Sequence, residues 1–159
     1  MNLHRWNSKG VGVALAIAAM LPSSCTSKRF GGATLEIQAP FSTAVLEIRP
    51  DGAVLYEARS RGMSAGEERD KQTKSKQVGE DDISALVSAI EESNFCTLKE
   101  SYPKQASSRT DGSTYSIEVK IGRKKRKVIC YESECPDAFN RVMEVMKEIW
   151  AEEMIERGV

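Results

Sequence analysis

Residues 43–58 read TAVLEIRPDGAVLYEA, and the fold is decided here. Leu46 and Ile48 alternate with polar or outward positions, the period-2 pattern of a strand with one buried face. Pro50-Asp51-Gly52 is a tight turn, because proline fixes φ and glycine supplies a positive φ. Val54, Tyr56 and Ala58 then alternate along a returning strand, which completes a hairpin. Immediately upstream, Thr34 to Ala39 carries the same Leu-Glu-Ile tripeptide, so Leu35 and Ile37 join Leu46 and Ile48 on the inward face. Two tripeptides so close together and found nowhere else do not make a repeat architecture.

Downstream, Ser60 to Gly79 is nearly devoid of large apolar residues and contains the mixed run EERDKQTKSK, which predicts a long exposed loop. Ile83, Leu86, Val87 and Ile90 then fall at helical spacing, with Asp81 and Asp82 at the N-terminus where the helix dipole favours anions. This amphipathic helix ends near Asn94, and Phe95 and Leu98 carry its apolar face into the exit. Tyr115, Ile117, Val119 and Ile121 alternate with polar residues along a strand, and Gly122-Arg123 turns the chain into a last strand ending near Tyr131. Its register is open: a four-residue turn puts Val128 and Cys130 inward, a three-residue turn Ile129 and Tyr131, since a one-residue slip reverses every side chain. Pro136 starts a second helix of about twenty residues, with Phe139, Val142, Met143, Met146, Ile149, Trp150 and Met154 on one stripe. The predicted order is β-β-β-α-β-β-α. It describes an α+β domain over residues 34–156, an antiparallel sheet of four to five strands with two amphipathic helices on one face.

The N-terminus reads differently. Arg5 and Lys9 precede an apolar run from Val11 to Leu21, followed by Pro22, Ser23, Ser24 and Cys25, the order of a secretory signal peptide over residues 1–24. The run makes a helix of only about 16 Å, half of what the ~30 Å hydrocarbon core needs. Leu21 to Cys25 resembles a bacterial lipobox, which implies that Cys25 is acylated and becomes the mature N-terminus, with residues 25–33 as a polar tether. The resemblance departs from its pattern at Pro22, where an aliphatic residue is usual. Thr26 in place of an aspartate after the cysteine points to the outer membrane, facing the periplasm.

Removing that segment changes the arithmetic. The chain of 159 residues has 23 bases, 23 acids and one histidine. Without Arg5, Lys9 and His4, 21 bases face 23 acids and no histidine is left, which excludes Ser-His-Asp or Cys-His catalysis and histidine-bearing zinc sites. Glu67-Glu68, Glu91-Glu92 and Glu152-Glu153 read as solvated faces, and no phosphate-binding loop, serine elbow or calcium loop is present. No catalytic residue, metal site or cofactor is expected.

Cys96, Cys130 and Cys135 remain after Cys25 and gather at one edge of the expected sheet. An exported chain favours a disulfide, and an odd number leaves one thiol over. Chain entropy alone favours Cys96 with Cys130, about 4 kcal/mol against about 2 for Cys130 with Cys135, and both pairings of Cys130 stay open. The strongest charge cluster is Arg123, Lys124, Lys125, Arg126 and Lys127. Export and the lack of interleaved aromatics argue against nucleic acid. The cluster reads either as protection for a strand edge or as a contact with an anionic envelope surface or an acidic envelope protein.

Together, Asp51-Gly52, Val54 to Tyr56, Asn94-Phe95 with Leu98, Tyr102, Asp111 with Tyr115, Lys127-Val128 and Pro136 resemble a bacterial family of small exported proteins of unknown function, over about Thr34 to Trp150. Many members carry a cysteine pair between the first two strands, where this chain has Ala39-Pro40-Phe41-Ser42, so that disulfide is not carried over. A more distant likeness is to emfourins, inhibitors of thermolysin-like metalloproteases. The expectation is a lipid-anchored, non-catalytic interaction module. The alternative is an inhibitor of an exported protease that inserts the 60–79 loop or the Arg123 hairpin.

Overall fold

A computed structural model describes residues 30–61, 68–106, 108 and 111–156. The expected signal peptide, the acylation site Cys25 and the tether up to residue 29 lie outside the described residues. Seven strands form one sheet: β1 (Phe30–Ala39), β2 (Ser42–Ile48), β3 (Ala53–Arg61), β4 (Glu68–Gln77), β5 (Ser101–Tyr102), β6 (Thr114–Ile121) and β7 (Lys124–Tyr131). Helix α1 (Glu80–Glu92) follows β4, and α2 (Asp137–Glu156) follows β7. The spatial order is β4-β3-β2-β1-β6-β7-β5, with every pair antiparallel except β5 with β7.

The first hairpins form as their sequence dictates. Leu35 lies opposite Leu46 and Ile117, and Ile48 opposite Ala33 and Val54, so the alternating apolar residues of four strands fall on one face. Gly52 takes φ 82 in the turn between β2 and β3, and the Asp51 carboxylate accepts from the Ala53 N–H at 3.1 Å. The β6–β7 hairpin closes with Ile121 opposite Lys124, the even count, and so places Val128 and Cys130 inward while Ile129 is 39% exposed.

Three sequence expectations are corrected. The 60–79 segment is not one long loop: its residues 68–77 are β4, paired with β3 from Ala53↔Gln77 to Ser60↔Asp70. Lys71 to Ser75 are all exposed, so this part of β4 has no buried face and leaves no period-2 signature. Backbone hydrogen bonding to β3 holds it, and its lysines suit an unprotected sheet edge. The sheet therefore has seven strands rather than four to five, because the two-residue β5 also joins it, alongside β7. Lastly, β1 begins at Phe30, taking up residues 30–33 of the expected tether. The element order is β-β-β-β-α-β-β-β-α.

Helix α1 starts where the Asp82 carboxylate accepts from the Gly79 N–H at 3.1 Å, with Glu80, Asp81 and Asp82 in its first turn. It buries Leu86, Ala89 and Ile90, and ends at Asn94 in the left-handed region with φ 54. A single 3-10 turn, Phe95–Thr97, follows and buries Phe95 completely. In α2, Phe139, Val142, Met143, Met146 and Ile149 are buried. All of these residues share one cluster with Leu35, Ile48, Val54, Ile117, Val119 and Val128, so both helices cover the same face of the sheet. The Phe95 and Phe139 rings lie 6.2 Å apart, and Tyr56 of β3 stacks on Trp150 at 4.6 Å. Among the described residues, no helix is long and apolar enough to cross a membrane.

Candidate functional site

The basic run does not form one patch, because strand alternation distributes it. Gly122, with φ 59, makes the tip between β6 and β7. Lys125 and Lys127 point to the helix-free face, where their ammonium groups lie 2.7 Å from Glu118 and 4.0 Å from Glu36. Arg126 points the other way. Its Nη1 lies 3.2 Å from the Glu100 carboxylate, and its Nη2 donates to the Leu98 carbonyl. This guanidinium ties the exit from α1 to β7, and the Ile129 N–H donates to the Glu100 carbonyl at 2.9 Å beside it. Only Arg123 and Lys124 of the five remain exposed without an acidic partner among the described residues, and Lys120 is in the same condition opposite Lys125.

The opposite end of the sheet is built around Cys130 and Cys135. These two are disulfide-bonded with Cα atoms 5.2 Å apart, so of the two pairings open to Cys130 the structure has the shorter. A 3-10 turn, Glu132–Glu134, brings the chain back within reach, which the entropy comparison of loop lengths ignores. No free thiol is present among the described residues. Pro136 then starts α2, its carbonyl accepting from the N–H groups of Phe139 and Asn140 at 2.9 and 3.0 Å.

The segment before β6 is fastened to this turn by polar groups that sequence reading did not single out. The Glu134 carboxylate accepts from Gln105 at 2.5 Å and from the Ser108 hydroxyl at 2.6 Å. The Ser108 and Ser133 hydroxyls, with Gln105, hold the Glu134 carboxyl below the usual glutamate value. Gly112 donates its N–H to the Tyr131 hydroxyl at 2.8 Å, and Ser113 donates to Glu132 at 3.0 Å. Burial pushes the Tyr115 phenol above its ordinary value, helped by the Glu132 charge and opposed by Ser113. The Lys104 ammonium sits 5.3 Å from the centre of the Tyr131 ring. Asp111 and Tyr115, which the family resemblance names, and Tyr131 at the end of the last strand fall in this region. The partners Gln105, Ser108 and Glu134 have no sequence signal, since nothing in local spacing announces a side chain bonded across 26 or more residues.

An open concavity of about 400 Å³ lies between β3 and β4, lined by Arg49, Val54, Lys76 and Gln77 among others. Gln77 donates across its rim to the Asp51 carbonyl at 2.5 Å. No group of three or more His, Cys, Asp or Glu side chains suited to a metal is found among the described residues. These polar clusters fasten loops and strand ends. For the inhibitor alternative, half of the loop expected to insert is the strand β4.

A family model described as a domain of unknown function, DUF6438, matches residues 42–150, from the start of β2 into α2. The chain belongs to that family. No curated protein matches it.

Proposed function

We propose that this member of the DUF6438 family is an exported, lipid-anchored bacterial envelope protein, held in the outer membrane through Cys25, that acts by contact and not by catalysis. The observation that carries the reading is the Cys130–Cys135 disulfide, with Cys130 fully buried in the core, because such bonds persist in oxidising compartments. The charged n-region, short apolar run and Cys25 in the sequence support the same route. Several acyl chains meet the two-signal requirement for stable membrane attachment that a single chain misses. The titratable groups drawn together, Glu132 and Glu134 with their serine and glutamine partners, are engaged in fastening loops, which supports a binding role over a chemical one.

The test is the mass of the N-terminal peptide from protein expressed as the full chain in a bacterium. A peptide beginning at acylated Cys25, lost together with membrane retention in Cys25→Ser, is the expected result. An intact N-terminus that retains residues 1–24, or a peptide in which Cys25 is disulfide-linked to Cys96, overturns it. Crosslinking in the same cells then identifies what the domain contacts.

A further inference from the structure

We infer that the β6–β7 tip, with Lys120, Arg123 and Lys124, rests on the anionic headgroups of the bilayer, so that the sheet stands with its Phe41 end pointing away. This rests on the lipid anchoring proposed above. Phe30, the first residue of β1, pairs with Ile121. The chain therefore enters the fold at the same end of the sheet as the tip, and Gly122 and Arg123 continue beyond Ile121 in that direction. Five residue steps separate Cys25 from Phe30, a reach of at most about 18 Å when fully extended. Strands spaced ~4.8 Å apart put β7 only about 10 Å to the side of β1. An acylated Cys25 thus holds this tip, and no other hairpin of comparable charge, close to the surface.

The charges at the tip suit that surface. Lys125, Arg126 and Lys127 are taken up by Glu118, Glu100 and Glu36, whereas Lys120, Arg123 and Lys124 are exposed and have no acidic partner among the described residues. Acids at the same end include Glu47, which is paired with Arg49, Asp51 in the β2–β3 turn and the group at the start of α1, which follows β4. By strand order the β2–β3 turn lies two to four spacings from β6 and β7, roughly 10–19 Å, and β4 lies four or more, at or beyond the ~8–10 Å screening length at physiological salt. A basic cluster beside a lipid anchor adds an electrostatic hold on anionic lipid. At the far end, between β1 and β2, Phe41 is 62% exposed.

The experiment places a photo-crosslinking side chain at position 125 or at position 41 of the acylated full chain, reconstituted in vesicles with phosphatidylglycerol or of phosphatidylcholine alone. The expected result is lipid adducts at 125 and few at 41, with the 125 signal reduced in phosphatidylcholine and at high salt. Changing Lys120, Arg123 and Lys124 to Ser weakens the attachment about fivefold for each cation removed. All three are surface positions, so circular dichroism is expected to be unchanged. Equal adducts at both positions, or adducts at 125 indifferent to phosphatidylglycerol, overturn the orientation. Mass spectrometry of the same sample separates the failures: an acylated chain without the tip contact refutes only this inference, and an unacylated chain refutes the anchoring beneath it.

Discussion

Gly112 lies directly beneath Tyr131: its N–H donates to the phenol oxygen at 2.8 Å, and a Cβ built on it would stand 2.6 Å from that oxygen and 2.7 Å from the ring carbon that bears it. Tyr131 is only 9% exposed, so its ring has little room to retreat. Gly112→Ala is expected to cost about 1–3 kcal/mol by overpacking. Tyr131→Phe, which removes hydrogen-bonding capacity without adding volume, is expected to cost about 1 kcal/mol. Urea denaturation of both variants checks the order. A neutral Gly112→Ala would show that the ring moves freely.

Arg126 is the residue of the basic run that ties β7 to the exit from α1. Its two terminal nitrogens serve different partners, the Leu98 carbonyl and the Glu100 carboxylate, and a lysine ammonium cannot reproduce that fork. Arg126→Lys is expected to lose about 1 kcal/mol and to speed amide exchange at Ile129, whose N–H bonds the Glu100 carbonyl. Glu100→Gln is expected to be nearly silent, because the Glu100 side chain is 83% exposed and a pair so wetted contributes little.

The Cys130–Cys135 bridge closes a short loop, with a sequence separation of 5. Chain entropy for a loop of that size gives about 2 kcal/mol. Cys135→Ser is therefore expected to lower stability by about that amount, seen as a lower urea midpoint with an unchanged slope. A much larger loss would mean that the bond also holds the start of α2 in place.

Acidification should release the segment before β6. Glu134 is held below its ordinary value in the folded protein, first by Ser108 and then by Ser133, with Gln105 adding to them. A lowered folded value means that its contribution is complete above the unfolded glutamate pKa of about 4.3 and is lost as pH falls through the lower folded value. Exchange of the Ser108 amide, which bonds the Gln105 carbonyl, is expected to rise below about pH 4. Glu134→Gln is expected to remove that pH dependence. Persistence of the same profile in the variant would assign it to another group.

The sequence made legible whatever buries one face. Leu35, Leu46, Ile48 and Val54 announce their strands by alternation, and Leu86 and Ile90, or Phe139, Val142 and Met146, announce their helices by spacing. β4 was illegible for the complementary reason: Lys71 to Ser75 are all exposed, and backbone pairing to β3, with the Lys71–Glu57 ion pair, makes it a strand. β5 is too short for any period, and it pairs with β7 just after residues 98–100, which Arg126 fastens there. At the basic run, composition gave the charge but not its division between internal ion pairs and the free tip. That division depends on which acids β1 and β6 set beside β7.

The central position of β1 has a consequence for how the protein assembles. The strands β1 to β4 can zip up from neighbours in sequence, as can β6 and β7, but the seam between the two halves joins partners such as Glu36 and Ser116, 80 positions apart. Closing so long a loop is entropically slow, and the two halves gain a common core only once it has closed. A chain emerging N-terminus first cannot complete its middle until β6 has followed. The expected slow step in folding is therefore this one strand pairing, and substitutions at Leu35 or Ile117 are expected to slow folding more than equally buried ones in α2.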